Sequence, residues 1–120
     1  MGACTFYNEV PGFTAVQDAF RHAVDQAFYD YGHAGYTGTI CEKPGYEVFS
    51  LPPDMSARDL FDRLDTLHNG VDGLDDDDPL VKFYSPLQLR HLVQTHNDKW
   101  GLAVAVNQDG VWYFGGWASC

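Results

Sequence analysis

The strongest pattern of apolar and polar positions in the chain lies between residues 15 and 31. Apolar residues recur there three and four positions apart, and polar residues fill the opposite side, which predicts an amphipathic helix. Thr14 and Gln17 have the spacing of a capping box, and Gly32 stands where a helix often ends. We expect this helix to be the centre of the core, with its larger side chains nearly buried: Phe20, Val24 and Phe28.

Runs rich in valine, threonine and aromatic residues predict the strands of a sheet. These runs are residues 5–10, 36–43, 46–50, 100–106 and 111–117. Pro44-Gly45 predicts a turn that joins the second and third runs in a hairpin. Asp109-Gly110 joins the last two runs, and this pair is typical of a tight hairpin turn.

Two further helices are predicted between the third and fourth strands. The first begins at Ser56 and stops at Asn69-Gly70, and the second begins at Ser85-Pro86 and ends near Asn97. Their apolar faces are Leu60, Phe61, Leu64 and Leu67, and Leu89, Leu92 and Val93. The order β-α-β-β-α-α-β-β predicts a single α+β domain over residues 1–120. Its three helices are expected on one face of a mainly antiparallel sheet of four or five strands.

Composition narrows the classes of partner. The 120 residues are 45% hydrophobic, enough for a core, and carry a formal net charge of -10. Nucleic acid and anionic membranes require a basic surface, so we expect neither as a direct partner, and we expect no cofactor. No apolar run is long enough for a transmembrane helix, and the first residues lack the pattern of a signal peptide, so a cytoplasmic protein is expected.

The chain has three cysteines, Cys4, Cys41 and Cys120, an odd number without CxxC spacing. This pattern favours neither a disulfide framework nor a zinc site. We therefore expect three reduced thiols, with Cys120 exposed at the end of the chain. A catalytic pair of Cys41 and His33 is conceivable, but a strand cysteine without an oxyanion-hole signal usually belongs to the packing.

Two motifs stand out along the chain. The segment Gly35-Tyr36-Thr37-Gly38-Thr39-Ile40 follows the first predicted helix, and Lys99-Trp100-Gly101 with Gly116-Trp117-Ala118-Ser119 belongs to the last hairpin. In these motifs the chain resembles small uncharacterised bacteriophage proteins, particularly those of actinobacterial phages. Cys41 stands where that pattern has alanine. The resemblance implies a viral source, and with it the cytoplasm of a host cell, and it implies no activity.

The glycine-rich stretch 32–43 is the first candidate binding site. Glycines let a backbone approach a ligand closely. Among them stand imidazole, hydroxyl, carboxylate and amine groups: His33, Tyr36, Thr37, Thr39, Glu42 and Lys43. The stretch is neither a Walker A loop nor a dinucleotide fingerprint, because these glycines follow a helix and precede a strand. It fits either a ligand or partner site, or a helix end followed by a twisted strand.

The second candidate is the acidic stretch 72–78, which contains four consecutive aspartates: Asp75, Asp76, Asp77 and Asp78. Every EF-hand register fails, and adjacent aspartates point in different directions, so we expect no metal site. We expect a solvated loop whose four aspartates can be changed to asparagine without loss of folding. The alternative is a docking site for a basic partner.

Aromatic residues are concentrated in the last hairpin. Strand alternation places Trp112 and Phe114 on one face and Tyr113 on the other. Part of this set is expected to fill the core, whereas Trp100 and Trp117 are candidates for an exposed patch that binds protein.

These observations favour a small acidic phage-type accessory protein that binds a host or defence-system macromolecule. The partner is expected to be a protein with a basic surface, and the chain to be a monomer or a small homo-oligomer. The alternative is a small enzyme or ligand-binding domain that uses the loop 32–43. No residue is assigned a catalytic role, because the sequence contains no catalytic motif.

Overall fold

The computed structural model describes residues 2–32 and 35–120, which form four strands and four α-helices. In chain order the elements are β1 (Ala3–Val10), α1 (Val16–Tyr31), a 3-10 helix (Ile40–Glu42), β2 (Tyr46–Val48), α2 (Ala57–Asp65), α3 (Pro79–Phe83), α4 (Pro86–Asn97), β3 (Ala103–Gln108) and β4 (Val111–Ser119). Within these residues, none of the helices has the length and apolar character that crossing a membrane requires.

The strands form one sheet in the order β1-β4-β3-β2. β1 pairs antiparallel with β4, β4 pairs antiparallel with β3, and β2 pairs in parallel with β3. Asp109 and Gly110 both have positive φ angles, 53° and 84°, as a tight turn between β3 and β4 requires. The predicted α+β class, with a mainly antiparallel sheet, is confirmed.

Residues 36–43 do not form the expected strand. Tyr36 and Gly38 have left-handed φ angles of 55° and 71°, which interrupt an extended backbone. The Thr39 side chain then accepts a hydrogen bond from the Cys41 amide and caps the 3-10 helix. The hairpin across Pro44-Gly45 is therefore wrong, and β2 pairs with β3 instead. The other predicted strands and helices follow in the predicted order, and α3 is an additional short helix that was not predicted.

Helices cover both faces of the sheet, contrary to the expectation of one covered face. Val104 and Val106 of β3 pack in a cluster with α2 and α4, whereas Ala105 between them packs in a second cluster with α1. Trp112 and Phe114 join the α1 side and Tyr113 the other side, as strand alternation predicted. The sequence prediction missed the second layer because the polar and apolar residues of a helix do not reveal which sheet face it covers.

The first helix packs through its small residues. Ala19, Ala23 and Ala27 are buried, whereas the aromatic and valine side chains beside them are half-buried: Phe20, Val24 and Phe28. The expectation that these larger side chains are nearly buried is wrong, and the larger cluster lies under α2 and α4 instead. The capping box is wrong too, because α1 begins after Ala15 with no side-chain cap. Gly32 ends the helix with a φ of 83°, as predicted.

The second and third predicted helices are confirmed as α2 and α4. Ser56 caps α2, and Ser85 and Gln88 form a capping box at the start of α4, where Pro86 occupies the first turn. Their predicted apolar residues are all buried: Leu60, Phe61, Leu64, Leu67, Leu89, Leu92 and Val93. These faces form the main core on that side of the sheet.

Cys4 and Cys120 form a disulfide, so the expectation of three reduced thiols is wrong for these two residues. The antiparallel register of β1 and β4 sets Cys4 opposite Ala118. It leaves the Cα atoms of Cys4 and Cys120 6.0 Å apart, within the range that a disulfide spans. Cys41 is the free cysteine of the described residues. The sequence predicted both β1 and β4 as strands, but it contained no signal that these two strands pair with each other.

We expect purified protein to contain one free thiol per chain. Cys41 is that thiol, because Cys4 and Cys120 are joined. Titration with a thiol reagent in denaturant, without reductant, should give one equivalent, and three after reduction. A variant with Cys41→Ser should give none before reduction. Three equivalents in unreduced wild-type protein would contradict the bridge.

Candidate functional site

The loop before β2 is organised around the carboxylate of Glu42. Its Oε1 accepts a hydrogen bond from the Tyr36 amide at 3.0 Å, and its Oε2 accepts from the Thr37 hydroxyl at 2.8 Å and the Thr37 amide at 3.3 Å. Partial burial raises the pKa of Glu42, but the hydrogen bonds from Thr37 and Tyr36 outweigh it and the pKa lies below its ordinary value. Glu42 is thus held as a carboxylate by the loop that it closes.

The Cys41 thiol lies inside the same cluster. Its Sγ is 2.9 Å from the Thr39 hydroxyl and 3.1 Å from the Thr37 hydroxyl, and it donates to Glu42 Oε2 at 3.5 Å. The two hydroxyls are 2.8 Å apart. Cys41 also packs against the α1 cluster, as its predicted packing role implies. We call Thr37, Thr39, Cys41 and Glu42 the polar cluster.

The loop packs against the Cys4–Cys120 disulfide at Gly38. The Gly38 amide donates to the Ser119 carbonyl at 2.8 Å. A Cβ at Gly38 would lie 3.0 Å from the Cβ atoms of both Cys4 and Cys120. Glycine is therefore required here by close approach as well as by the positive φ angle.

Lys43 is a buried residue and not a surface contact. Its side chain crosses the interior, where Nζ donates to the Asp98 carbonyl at 2.9 Å and lies 5.9 Å from the centre of the Phe6 ring. Only 5% of Lys43 is exposed. Burial lowers its pKa to about 8, although the charge of Asp98 acts in the opposite direction. The ammonium group places a positive charge at the carboxyl end of α4, where the Asp98 carbonyl also accepts from the Gly101 amide at 3.1 Å.

Two predicted aromatic site residues meet at the surface. The Tyr36 and Trp100 rings pack edge to face with their centres 6.4 Å apart, and both side chains are more than half exposed. Lys99 Nζ lies 5.2 Å from the centre of the Trp100 ring. Trp117 is half-buried in β4 opposite Thr5 and offers a partner little surface. His33, the remaining candidate of this loop, lies outside the described residues.

The acidic stretch divides into two parts. Asp75, Asp76 and Asp77 are exposed, as expected. Asp78 instead caps α3 by accepting from the Leu80 amide, and its Oδ2 lies 2.5 Å from Arg63 Nη2. Burial raises the pKa of Asp78, but the bonds from Arg63 and Leu80 outweigh it and lower the pKa overall. The expectation of a solvated loop is therefore wrong for Asp78, because the sequence could not place Arg63 beside it.

The structure also has a groove that the sequence did not indicate. It lies between residues 47–50 and the helices α3 and α4, with a volume of about 360 Å³. Glu47 Oε2 and His91 Nε2 meet there at 2.6 Å, although they lie 44 residues apart. No local signal could have paired them.

Among residues 2–32 and 35–120, no three histidine, cysteine, aspartate or glutamate side chains are grouped as a metal site would require. The candidate binding features are therefore the loop that the polar cluster stabilises, the exposed pair of Tyr36 and Trp100, and the acidic surface. Comparison of the chain with family models, curated proteins and solved structures found no match.

Proposed function

We propose that this chain is a small acidic accessory protein that acts by binding a partner protein with a basic surface. One observation carries the proposal: Asp75, Asp76 and Asp77 are consecutive, exposed and without ion pairs among the described residues. The basic side chains compensate for them only in part. Lys43 is buried, Lys82 lines the same depression as Asp77, and three arginines pair with other aspartates: Arg58, Arg63 and Arg90. An acidic surface that is only partly compensated attracts a basic partner at long range.

The alternative is an enzyme or ligand-binding domain that uses the loop 32–43, and it has less support. Glu42 accepts hydrogen bonds from its own loop, and the Lys43 ammonium is bonded to the Asp98 carbonyl. Groups that bind or transform a ligand need bonding capacity directed at that ligand. The polar cluster is better explained as a brace for the loop.

The biological setting belongs to the same proposal. A phage source, with a host or defence-system protein as the partner, rests on the sequence resemblance. We propose that nucleic acid is not bound directly, and that the chain acts as a monomer or a small homo-oligomer. Action in the cytoplasm has the least support, because disulfides such as Cys4–Cys120 are rare in reducing compartments.

Changing Asp75, Asp76 and Asp77 together to asparagine should slow association with the partner about three- to tenfold at low salt, because the local attraction is lost. The partner is first captured from actinobacterial lysate on immobilised wild-type protein, and association is then measured by surface plasmon resonance. Asp78 is left in place because it caps α3. Folding should be unchanged.

The matched control changes three exposed aspartates of α1, namely Asp18, Asp25 and Asp30, to asparagine. It alters the net charge by the same amount at a different place and should slow association less. A captured partner whose binding is insensitive to salt and to both variants would contradict the proposal. The proposal would also be contradicted if Cys41→Ser protein remained folded but lost its biological function, because that result would favour the alternative of an enzyme.

A further inference from the structure

The strand β2 forms an open edge of the sheet. Its inner side faces β3, where the Phe49 amide donates to Ala105 and the Gly45 carbonyl accepts from Ala103. Backbone groups alternate in direction along a strand, so Tyr46 and Val48 direct their N–H and C=O groups away from the sheet. Within residues 2–32 and 35–120, no strand pairs with that outer side. An unpaired edge is a template for a strand from another chain.

The groove beside this edge gives side chains a place to bind. Glu47 and Phe49 line it from the strand side, and Phe83, Gln88 and His91 line it from the helices. Phe83, which lines the groove, is exposed, and so is Leu87 next to Gln88. Val48 is 49% exposed at the same edge, and its side chain lies on the sheet face of Ala105, opposite to the face of Glu47 and Phe49. Exposed apolar side chains beside an open edge are the features of a peptide-binding groove between a strand and a helix.

The charge around the groove selects the occupant. Glu47 lies within it, and a second depression of about 420 Å³ shares Phe83 with it and is lined by Asp54, Asp77 and Lys82. Glu47 already contacts His91 at 2.6 Å, so the excess of carboxylates lies in the second depression, where Asp54 and Asp77 face Lys82. Asp75 and Asp76 directly precede Asp77 in the chain. A basic segment is attracted to this surface. A second copy of this chain is repelled, because it carries the same net charge of -10.

We propose that an extended basic segment of the partner protein binds to the outer edge of β2 as an added strand. Its backbone pairs with Tyr46 and Val48. One apolar side chain contacts Phe83, and a neighbouring lysine or arginine lies near Glu47. This inference rests on the proposed function. It adds how the partner protein binds and where on the surface it binds. The Tyr84 hydroxyl bonds to the Ser50 carbonyl and marks the end of the free edge.

The probe is a synthetic eight-residue peptide of alternating lysine and valine, added to isotope-labelled protein and followed by NMR. We expect saturable shifts of the amides in residues 46–50 and 83–91. The same peptide with alternate backbone amides methylated cannot pair as a strand and should bind about tenfold more weakly. A glutamate-valine peptide should not bind, since the groove is acidic.

Val48→Lys tests the edge in the protein itself. The change places a long cationic side chain next to the outer edge, on the sheet face of Ala105, without touching the bonds to β3. It should weaken binding of the lysine-valine peptide about tenfold. Arg21→Lys, an exposed position on α1, is the control and should leave binding unchanged. Glu47→Gln offers a second test of the groove and should weaken binding while the melting temperature stays near that of wild type.

The proposal would be overturned by equal binding of the methylated peptide, by shifts confined to residues 72–77, or by a Val48→Lys protein that binds like wild type. Dimerisation through β2, seen as a doubled mass in sedimentation, would also overturn it. Each of these leaves the proposed function standing if the captured partner still depends on salt and on the acidic loop. Loss of that dependence, with peptide binding intact, would instead remove the proposed function alone.

Discussion

Removing the Cys4–Cys120 disulfide should lower the free energy of unfolding by about 4 to 5 kcal/mol. The bridge joins residues that lie 116 positions apart, so the unfolded chain gains much freedom when the bridge is absent. The loop at Gly38 also loses the surface on which it rests. Such a loss is a large part of the stability of a domain of this size. Urea unfolding of wild-type protein and of a Cys4→Ser, Cys120→Ser double variant measures the difference.

The control for this experiment is Cys41→Ser, which leaves the bridge intact. Its hydroxyl can take the place of the thiol beside Thr37 and Thr39, so its unfolding midpoint should stay close to that of wild type. Reduced wild-type protein should match the double variant. If the double variant unfolds at the same urea concentration as oxidised wild type, the bridge contributes nothing to stability.

Acid should destabilise the fold by about 3 kcal/mol between pH 6.5 and pH 4, through His96. Only 1% of His96 is exposed, and burial lowers its pKa from 6.5 to about 4. The Asn97 side chain acts in the opposite direction, and the charge of Lys43 lowers the pKa further. In this pH range the unfolded chain binds a proton at His96 and the folded chain does not. Stability is therefore full above pH 6.5 and falls as the pH drops towards the folded pKa.

The surroundings of His96 act on its charged form in both directions, because burial disfavours it and a nearby carboxylate favours it. Its Nε2 lies 3.2 Å from Asp65 Oδ1 without hydrogen-bonding geometry, and the Phe61 ring centre is 6.3 Å from the imidazole centre. Burial, and then the charge of Asp62, raise the pKa of Asp65 above 3.8. Asp65 thus opposes the effect of His96, because the folded chain holds the proton of Asp65 more tightly than the unfolded chain does.

The measurement is the free energy of unfolding in urea at several pH values. His96→Gln should flatten the slope between pH 4 and pH 6.5, whereas His68→Gln, at an exposed position, should leave it as in wild type. An NMR titration of wild-type protein gives a check that does not depend on the variant folding. A His96 pKa near 6.5 would contradict the prediction.

Local signals predicted the parts of the fold that depend on neighbours in the sequence. The Asp109-Gly110 turn, the helix start at Ser85-Pro86, and the leucine-rich face of α2 are all present. For α1, the spacing of apolar residues did not determine which of them would be buried. It aligned a row of alanines beside a row of larger side chains, and only the close approach of the helix to the sheet selects the alanines.

The site depended on distant partners, and the sequence was correspondingly less informative. From its neighbours in the sequence, Lys43 would be expected at the surface. It is buried because the Asp98 carbonyl, at the end of α4, lies beside its ammonium group. Asp78 bonds to Arg63, which lies 15 residues earlier in the chain, and so it is not part of the exposed acidic loop. In the same way, β2 pairs with the distant strand β3 and not with residues 36–43, which directly precede it. The polar cluster is the exception, because residues 37–42 are close in sequence and the glycines at 35 and 38 allow the chain to fold back on itself.

The pairing of β1 with β4 has a consequence for synthesis on the ribosome. At roughly 5 to 20 residues per second, the 116 positions between Cys4 and Cys120 take roughly 6 to 23 s to translate. For that time β1 has no neighbouring strand, and the only thiol available to Cys4 is that of Cys41. In an oxidising compartment we therefore expect some Cys4–Cys41 bridges to form before Cys120 is available. Yield there should depend on a disulfide isomerase, and Cys41→Ser should remove that dependence.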